Sequence, residues 1–325
     1  MKMKPFKTHN QQLKILRDRG LEVPSKSKRI LEQDNYYNVV NGYKTPFLKK
    51  DSKGKIVEPE EYVKDAHFDE IYYLFSFDRE FRQILLDYML IFEMHFKSIL
   101  AYKFSGKYPA PNAYLDINSY SNDPKKISEI VKLISTLSNE ISRKVRRNGY
   151  TNKNSIEHYL DQHEGVPLWV LTNYLTIGNA SYFYDSLDDS LRDELAKYFN
   201  NLYLREHNER ISLKSDNIKN IMKMATHYRN VCAHGERLYA QYMKKKPKVE
   251  NLSKYLTQVE NSKLSGNVFT MVALLKFVSK KKDYIEMIRC IDKLFIKYNG
   301  KIKSVSFESI LETMGFSVHW KKELL

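Results

Sequence analysis

The stretch from Phe68 to Tyr102 constrains the fold more than any other part of the chain. Its large apolar side chains recur every three or four residues, which is the period of one face of an α-helix. These side chains are Leu74, Phe77, Phe81, Leu85, Tyr88, Phe92, Phe96 and Ile99. The pattern predicts a short helix followed by one long helix, which together form the core of a helical body.

The rest of the chain favours the same class of fold. Among 325 residues only 11 are glycine and 9 are proline, which favours long helices over many tight turns. Asp51 to Lys55 is a predicted turn, closing a hairpin between residues 45–48 and 56–57. Further helices are predicted over residues 4–21, 26–40, 125–147, 168–187, 192–202, 215–242, 267–278, 284–297 and 304–314. The predicted fold class is mainly α.

Several kinds of function are disfavoured by what the sequence lacks. Cys232 and Cys290 are its two cysteines, and they form neither a disulfide framework nor a metal-ligand spacing. The first residues lack the apolar core of a signal peptide. Val268 to Val278, the most apolar run, is too short to span a bilayer. We therefore expect a cytoplasmic protein with no metal, no cofactor and no membrane association.

Positive charge is concentrated near the two ends of the chain. The net charge is +15, and residues 1–55 alone carry +9 while residues 241–303 carry +10, leaving −4 for the remainder. Clustered positive charge is the expected footprint of polyphosphate binding. Solvated lysines of a generally lysine-rich protein are the alternative explanation. We predict RNA as the partner.

The stretch Ser215 to Tyr242 carries the candidate chemistry. At helical spacing its apolar residues would form one face, and His227, Asn230 and His234 would share a neighbouring stripe with Arg229 beside it. A permanent cation, an amide and an imidazole within about one turn are the parts needed to bind a phosphate and move a proton. Ordinary surface residues beside an apolar face would give the same pattern, and spacing alone leaves both possibilities open.

Other charged and aromatic residues are candidates for supporting roles. Glu93 and Lys97 have the i, i+4 spacing of a salt bridge, and Glu93 would hold Arg229 or His234 if the two helices pack together. Aromatic rings among cations can stack unpaired bases, although the same tyrosines could instead pack the N-terminal module onto the body. The predicted RNA-binding residues are Lys28, Arg29, Tyr36, Tyr37, Tyr43, Arg143, Lys144, Arg146, Arg147, Lys244, Lys245 and Lys246.

Five segments resemble one family in the same order. RNVCAH resembles the Arg-Asn-x3-His signature of the HEPN superfamily, helical domains many of which are metal-independent ribonucleases. The opening KPFKTHNQQLKILRDRGLEV, then NYYNVVNGYKTPFL, the long helix from residue 68 to 102, and PLWVLTNYLTIGNASYFYDSL resemble abortive-infection proteins of the D/F type, which are bacterial phage-defence factors. The resemblance covers roughly Lys4 to Tyr242.

This resemblance implies a HEPN-like bundle and assigns roles to the candidate residues. Arg229, Asn230 and His234 would be the catalytic set, with Glu93, Lys97 and Arg237 in support. HEPN ribonucleases commonly dimerise, so a homodimer is expected, and relatives paired with a small non-coding RNA make such a partner an expectation too. Some HEPN toxins carry a modified tyrosine two residues after the histidine; Glu236 stands there, so that form of control is not expected.

The predicted organisation has three parts: a basic N-terminal α module with a β-hairpin over residues 1–60, a HEPN-like helical body over 61–242, and a basic helical extension over 243–325. The predicted function is a phage-defence endoribonuclease toxin. Two alternatives stay open at this point, a non-catalytic RNA-binding component of a ribonucleoprotein toxin–antitoxin complex and, more distantly, a scaffold without RNA.

Overall fold

The computed structural model describes residues 5–145 and 154–325, and within them the protein is mainly helical and has no β-strand. The mainly α class predicted from sequence is therefore confirmed. Longer helices alternate with short 3₁₀ turns along the chain. The helices are α1 (His9–Asp18), α2 (Ser27–Asp34), α3 (Phe68–Lys107), α4 (Ile127–Lys144), α5 (Ser155–Gln162), α6 (Leu168–Leu171), α7 (Ile177–Ser186), α8 (Asp189–His207), α9 (Ser215–Ala233), α10 (Val268–Leu275), α11 (Lys281–Tyr298), α12 (Phe307–Thr313) and α13 (Trp320–Leu324).

The predicted short and long helices at Phe68 prove to be one continuous helix. α3 runs for 40 residues to Lys107, five residues beyond the predicted end. No glycine or proline interrupts the stretch before Gly106, so nothing local forces a break. Six of the eight residues of the predicted stripe are each 0 or 1% exposed, as their spacing predicts: Leu74, Phe77, Phe81, Leu85, Phe92 and Phe96. Tyr88 and Ile99 are only half-buried.

The predicted hairpin near the N-terminus is reduced to isolated bridges. Residues 45–47 form a 3₁₀ turn with Pro46 in its first positions, because proline lacks the amide that a strand ladder needs. Lys50 and Ile56 still pair in an antiparallel bridge around the predicted turn, and Leu48 pairs with Tyr62. The Asp51 carboxylate accepts hydrogen bonds from the amides of Lys53 and Lys55, which fixes the turn without strands.

The chain divides into two compact units, each assembled from separate segments. The first contains the chain up to Leu85 together with Val231–Gln241 and Glu286–Lys322; the second contains Leu86–Asn230, Tyr242–Ile285 and Glu323–Leu325. The predicted N-terminal module is thus part of a unit that also includes a piece of the candidate motif. The three-part division by sequence position stays a prediction.

Aromatic side chains form the core of the first unit. Phe77 packs edge-on against Phe307 at 5.3 Å between ring centroids, and Phe295 packs likewise against Phe316 and Trp320. Edge-to-face pairs of this kind add to the stabilisation from burial alone. Phe295 also meets Phe81 edge-on at 5.8 Å, so the C-terminal helices α11 and α12 both pack on the first half of α3.

The second unit has its own aromatic core around the second half of α3. Phe96 stacks on Phe199 of α8 and meets Tyr184 of α7 edge-on. Farther along α3, Phe104 meets Phe183 edge-on at 5.0 Å. These contacts fix α7 and α8 on α3.

Within residues 5–145 and 154–325, no helix has both the length and the apolar character to cross a bilayer.

Candidate active site

The helix that carries the candidate motif, α9, buries the face that its sequence predicts. Ile218, Ile221, Met222, Ala225 and Tyr228 are at most 1% exposed. The Tyr228 hydroxyl donates a hydrogen bond to the Gly266 carbonyl at 2.8 Å, which ties the last turns of the helix to the start of α10. The predicted amphipathic pattern is confirmed, and it leaves Arg229 at the edge of the buried face.

Arg229 is paired with a buried carboxylate. Its Nε lies 3.4 Å from Oε2 of Glu93, whose side chain is only 6% exposed. Both atoms are buried and neither makes a well-aligned hydrogen bond, so the contact is an ion pair rather than a bidentate clamp. The Arg229 side chain as a whole remains 25% exposed. One edge of the guanidinium thus faces the protein while surface remains for a ligand.

Lys97 completes this arrangement from the next turn of α3. Its ammonium donates to Oε1 of Glu93 and to the Leu175 carbonyl. A single buried carboxylate therefore pairs with two cations, which leaves the cluster with a net positive charge. The structure brings together Glu93, Lys97 and Arg229, three of the residues singled out by sequence.

The other two motif residues lie at the solvent-exposed end of α9. Asn230 is exposed in the last turn. His234 is exposed too, but it lies one residue beyond the helix, which ends at Ala233. The predicted helical stripe of His227, Asn230 and His234 therefore does not extend to His234.

A glycine explains why the helix stops before His234. Gly235 has φ +68, a conformation that residues with a side chain rarely adopt. The Glu236 amide donates to the Val231 carbonyl at 3.0 Å and the Gly235 amide to that of Cys232 at 3.3 Å. This pair of bonds is the Schellman ending of a helix. His234 is the last residue before the reversal, with its imidazole in solvent.

The segment that follows His234 is anchored by Asp78, a residue that the sequence analysis missed. The Asp78 carboxylate is fully buried and accepts from the Leu238 amide at 3.0 Å, the Tyr239 amide at 2.6 Å and the Tyr43 hydroxyl at 2.7 Å. Arg82, one turn along α3, pairs with the same carboxylate and donates to the Glu236 carbonyl at 3.1 Å.

Burial raises the pKa of Asp78 above its ordinary value, while Arg82 and the three donors act to lower it. Because all four groups donate, the arrangement suits the ionised carboxylate. We call Asp78, Arg82 and Tyr43 the Asp78 anchor. Its effect is to fix the backbone from Glu236 to Tyr239, directly after His234.

This anchor corrects the role predicted for Tyr43. The Tyr43 side chain is 3% exposed, and its hydroxyl donates a hydrogen bond to Asp78. Its ring stacks on that of Tyr239, with 5.6 Å between the ring centroids. A buried ring cannot stack on a nucleobase, so Tyr43 packs the N-terminal part of the first unit, the alternative left open by the sequence. Arg237 also has a structural contact, donating to the Gly42 carbonyl at 2.8 Å.

Cys232 is a packing residue beside the motif. It is 6% exposed, and burial raises the pKa of its thiol to about 12, with Asp78 adding to the effect. A thiol with this pKa stays protonated at neutral pH and is a poor nucleophile.

The remaining predicted RNA-binding residues are distributed over both units. In the first unit Tyr37 is 70% exposed, Arg29 is exposed, and Tyr36 and Lys28 are half-buried. In the second unit the exposed residues are Arg143, Lys244, Lys245 and Lys246, and Lys144 lies over the ring of Tyr174. Arg146 and Arg147 lie outside the described residues. In the first unit, Lys28 and Tyr36 line one pocket together with Lys7 and His9.

No group of three or more His, Cys, Asp or Glu within residues 5–145 and 154–325 is placed to hold a metal ion.

The fold and the motif define the class of protein: a chain that is mainly helical over its described residues, with an arginine and an asparagine near the end of one helix and a histidine directly after it. A family model described as Abi-like protein matches residues 29–240, which is more than half of the chain. The chain belongs to this Abi-like family, and membership points to abortive-infection phage defence. No curated protein and no solved structure matches it.

Proposed function

We propose that this protein is a metal-independent endoribonuclease that acts as a toxin in abortive infection. The observation that carries the proposal is the placement of Arg229, held at its Nε by the buried Glu93 and partly exposed on its other side. Membership of the Abi-like family supports the biological setting. The resemblance of RNVCAH to the HEPN signature supports the reaction.

The proposed reaction uses the 2′-hydroxyl of the RNA as nucleophile. A base removes the 2′ proton, the oxygen attacks the adjacent phosphorus, and the 5′-oxygen leaves with a proton supplied by an acid. The products are a 2′,3′-cyclic phosphate and a free 5′-hydroxyl. Imidazole suits either proton transfer because both of its protonation states are accessible near neutral pH. His234 is assigned that role.

Arg229 is assigned the stabilisation of charge on the phosphoryl oxygens. A planar guanidinium can donate to two oxygens at once, and such charge-assisted bonds are stronger than neutral ones. Glu93 positions it, and the second cation on Glu93, Lys97, keeps the cluster attractive to phosphate. Asn230, exposed in the same turn of α9, would orient the phosphate or the imidazole.

A second candidate function is RNA binding without cleavage, as part of a ribonucleoprotein with a small non-coding RNA. The charge of +9 over residues 1–55 and +10 over residues 241–303 favours it. The two functions predict different results for one variant. Under the first, His234→Ala abolishes growth inhibition in cells while RNA still copurifies; under the second, growth inhibition and RNA binding are both unchanged by this substitution.

RNA binding itself should depend on the exposed lysines after Tyr242. We expect the logarithm of affinity for single-stranded RNA to fall with the logarithm of salt concentration by about 0.7 per neutralised phosphate. Replacing Lys244, Lys245 and Lys246 by glutamine should flatten that slope by up to about 2. The matched control replaces Lys132, Lys197 and Lys223, which are exposed and lie outside both basic regions. Equal slopes for the two triple variants would show that residues 244–246 do not contact phosphate.

A homodimer is proposed as the active form, because one histidine cannot act as base and acid at the same moment. An exposed apolar stripe on α3 supports the homodimer. Its residues Leu90, Ile91, Met94 and Tyr102 are 36 to 74% exposed. They lie on the same helix as Glu93, which pairs with Arg229. Met94→Glu is expected to shift the sedimentation of the protein toward monomer and to lower specific activity in parallel. A monomer with full activity would contradict the proposal.

A further inference from the structure

An apolar groove lies in the first unit, on the side of α11 that faces α12 and the turn before α13. α11 contributes Asp292, Phe295 and Ile296, which share one face at i, i+3 and i+4, and Asn299 lies one residue beyond the end of the helix. The floor is aromatic, formed by Phe295, Phe316 and Trp320, whose rings pack edge-on against one another. The cavity volume is about 230 Å³.

Two exposed aliphatic side chains flank this floor. Ile296 is 68% exposed and Val318 is 66% exposed. Branched side chains are not needed at such positions for folding, because they bury little of their surface in the chain itself. The three rings of the floor are themselves only 1 to 7% exposed, so Ile296 and Val318 supply most of the exposed apolar surface at the groove.

The charge around the groove identifies what kind of partner fits it. Its three charged lining residues, Asp292, Glu308 and Glu312, are all acidic. Asp292 is paired with Lys321, so the negative charge at the rim comes from Glu308 and Glu312. Residues 286–322 as a whole contain seven Lys and Arg and only four Asp and Glu. The acidic lining of the groove therefore does not simply reflect the composition of this part of the chain. Negative charge at the rim repels a phosphate backbone and attracts lysine or arginine. RNA is thus disfavoured here.

The size of the groove narrows the partner further. Pockets for drug-sized ligands and cofactors have volumes of about 300–1,000 Å³. A smaller groove between helices can take one or two apolar side chains of a peptide, as in the binding of amphipathic helices. Glu308 and Glu312, at i, i+4 on α12, are both exposed and can meet cations flanking those side chains.

We propose that this groove binds a cationic, amphipathic segment of a partner protein. Apolar side chains of the segment fill the space over Phe295, Phe316 and Trp320, and lysines or arginines beside them pair with Glu308 and Glu312. The site is separate from the Arg229 motif and gives the chain a protein partner in addition to RNA.

The groove contains its own spectroscopic reporter. The chain has two tryptophans, and Trp169→Phe leaves Trp320 alone. In that background, a short amphipathic peptide of leucine and lysine should change Trp320 fluorescence saturably, more weakly as salt is raised. The matched peptide of leucine and glutamate should give no saturable change. Equal responses to both peptides, or to neither, would overturn the proposal.

Substitutions locate the binding. Val318→Asp should weaken the leucine–lysine peptide about tenfold or more, because it places a charge on the apolar surface. Val131→Asp is the matched control, an exposed valine of α4 that should have no effect. RNA cleavage should be unchanged in both. If single-stranded RNA competes with the peptide, or if Val318→Asp dissociates the protein into monomers, the occupant is RNA or a second copy and the proposal fails.

Discussion

His234→Ala is expected to lower the rate of RNA cleavage by about 10²-fold or more, the usual contribution of a general acid–base group. His234 is exposed directly beyond α9, and alanine there removes the imidazole without opening a cavity. The free energy of unfolding should therefore change by less than about 0.5 kcal/mol. The measurement is single-turnover cleavage of a labelled RNA, together with a denaturation curve for each protein.

Arg229→Ala is expected to cause a loss of similar size, about 10²- to 10³-fold, because a donor aimed at developing charge is removed. Arg229→Lys should recover little of it, since lysine keeps the charge but cannot donate two parallel bonds from one plane. His319→Ala and Arg289→Ala are the matched controls, a histidine and an arginine that are exposed outside the motif. Losses in the controls as large as those at Arg229 and His234 would show that the motif is not the active site.

Asp78→Ala is expected to have the largest effect on stability, about 3–5 kcal/mol, because removing one partner of a buried ion pair leaves the other charge uncompensated. It would remove the carboxylate that pairs with the guanidinium of Arg82 and that accepts from the amides of Leu238 and Tyr239. Asp87→Ala is the control on the same helix, where the side chain is exposed and a change within about 0.5 kcal/mol is expected. Denaturant unfolding measures both variants.

Hydrogen exchange gives a local readout of the same anchor. The amides of Leu238 and Tyr239 should be protected in the native protein and should exchange faster in Asp78→Asn, which keeps the shape of the side chain but halves its accepting oxygens. Cleavage should fall as well, since the segment after His234 would lose its attachment to α3. An Asp78→Ala protein with nearly native stability and native exchange at residues 238 and 239 would refute the role of the Asp78 anchor.

Helical periodicity was sufficient to predict most of the helical fold. The apolar spacing of Leu74, Phe81 and Phe92 placed α3, and that of Ile218 and Met222 placed α9. The predictions were wrong where a proline or a glycine overrides the apolar pattern. Residues 45–47 form a 3₁₀ turn around Pro46 where a strand was predicted, and α9 ends before His234 because Gly235 follows.

Part of the site was predictable from sequence. Asp78 was missed, although its position on α3 is a recognisable signal. Glu93 and Asp78 both occupy positions on the apolar stripe of α3, where an acid must find a buried partner. Glu93 was singled out from sequence because Lys97 follows it at i, i+4. Asp78 has the same spacing to Arg82 but was not singled out. Its other donors, Leu238 and Tyr239, lie about 160 residues away in sequence. Contacts at such separations arise only from the packed fold, and periodicity along one helix does not reveal them.

The proposed roles of the two charged centres are complementary. Glu93 and Lys97 position Arg229 in the second unit, and the Asp78 anchor fixes the segment after His234 in the first. Each centre is built around one acidic residue of α3, Glu93 in the second unit and Asp78 in the first. The guanidinium of Arg229 and the backbone that follows His234 are thereby each attached to the rigid helix α3, as the proposed catalysis would require.

The central claim is that the protein cuts RNA through the RNA's own 2′-hydroxyl without a metal ion. The direct test is cleavage of an RNA in excess EDTA, with analysis of the product ends and with a matched RNA that has a single 2′-deoxy substitution at the cut. We predict that cleavage persists in EDTA, leaves 2′,3′-cyclic phosphate and 5′-hydroxyl ends, and stops at the deoxy position. Cleavage that EDTA abolishes and a divalent ion restores, or products with 5′-phosphate ends, would contradict the account.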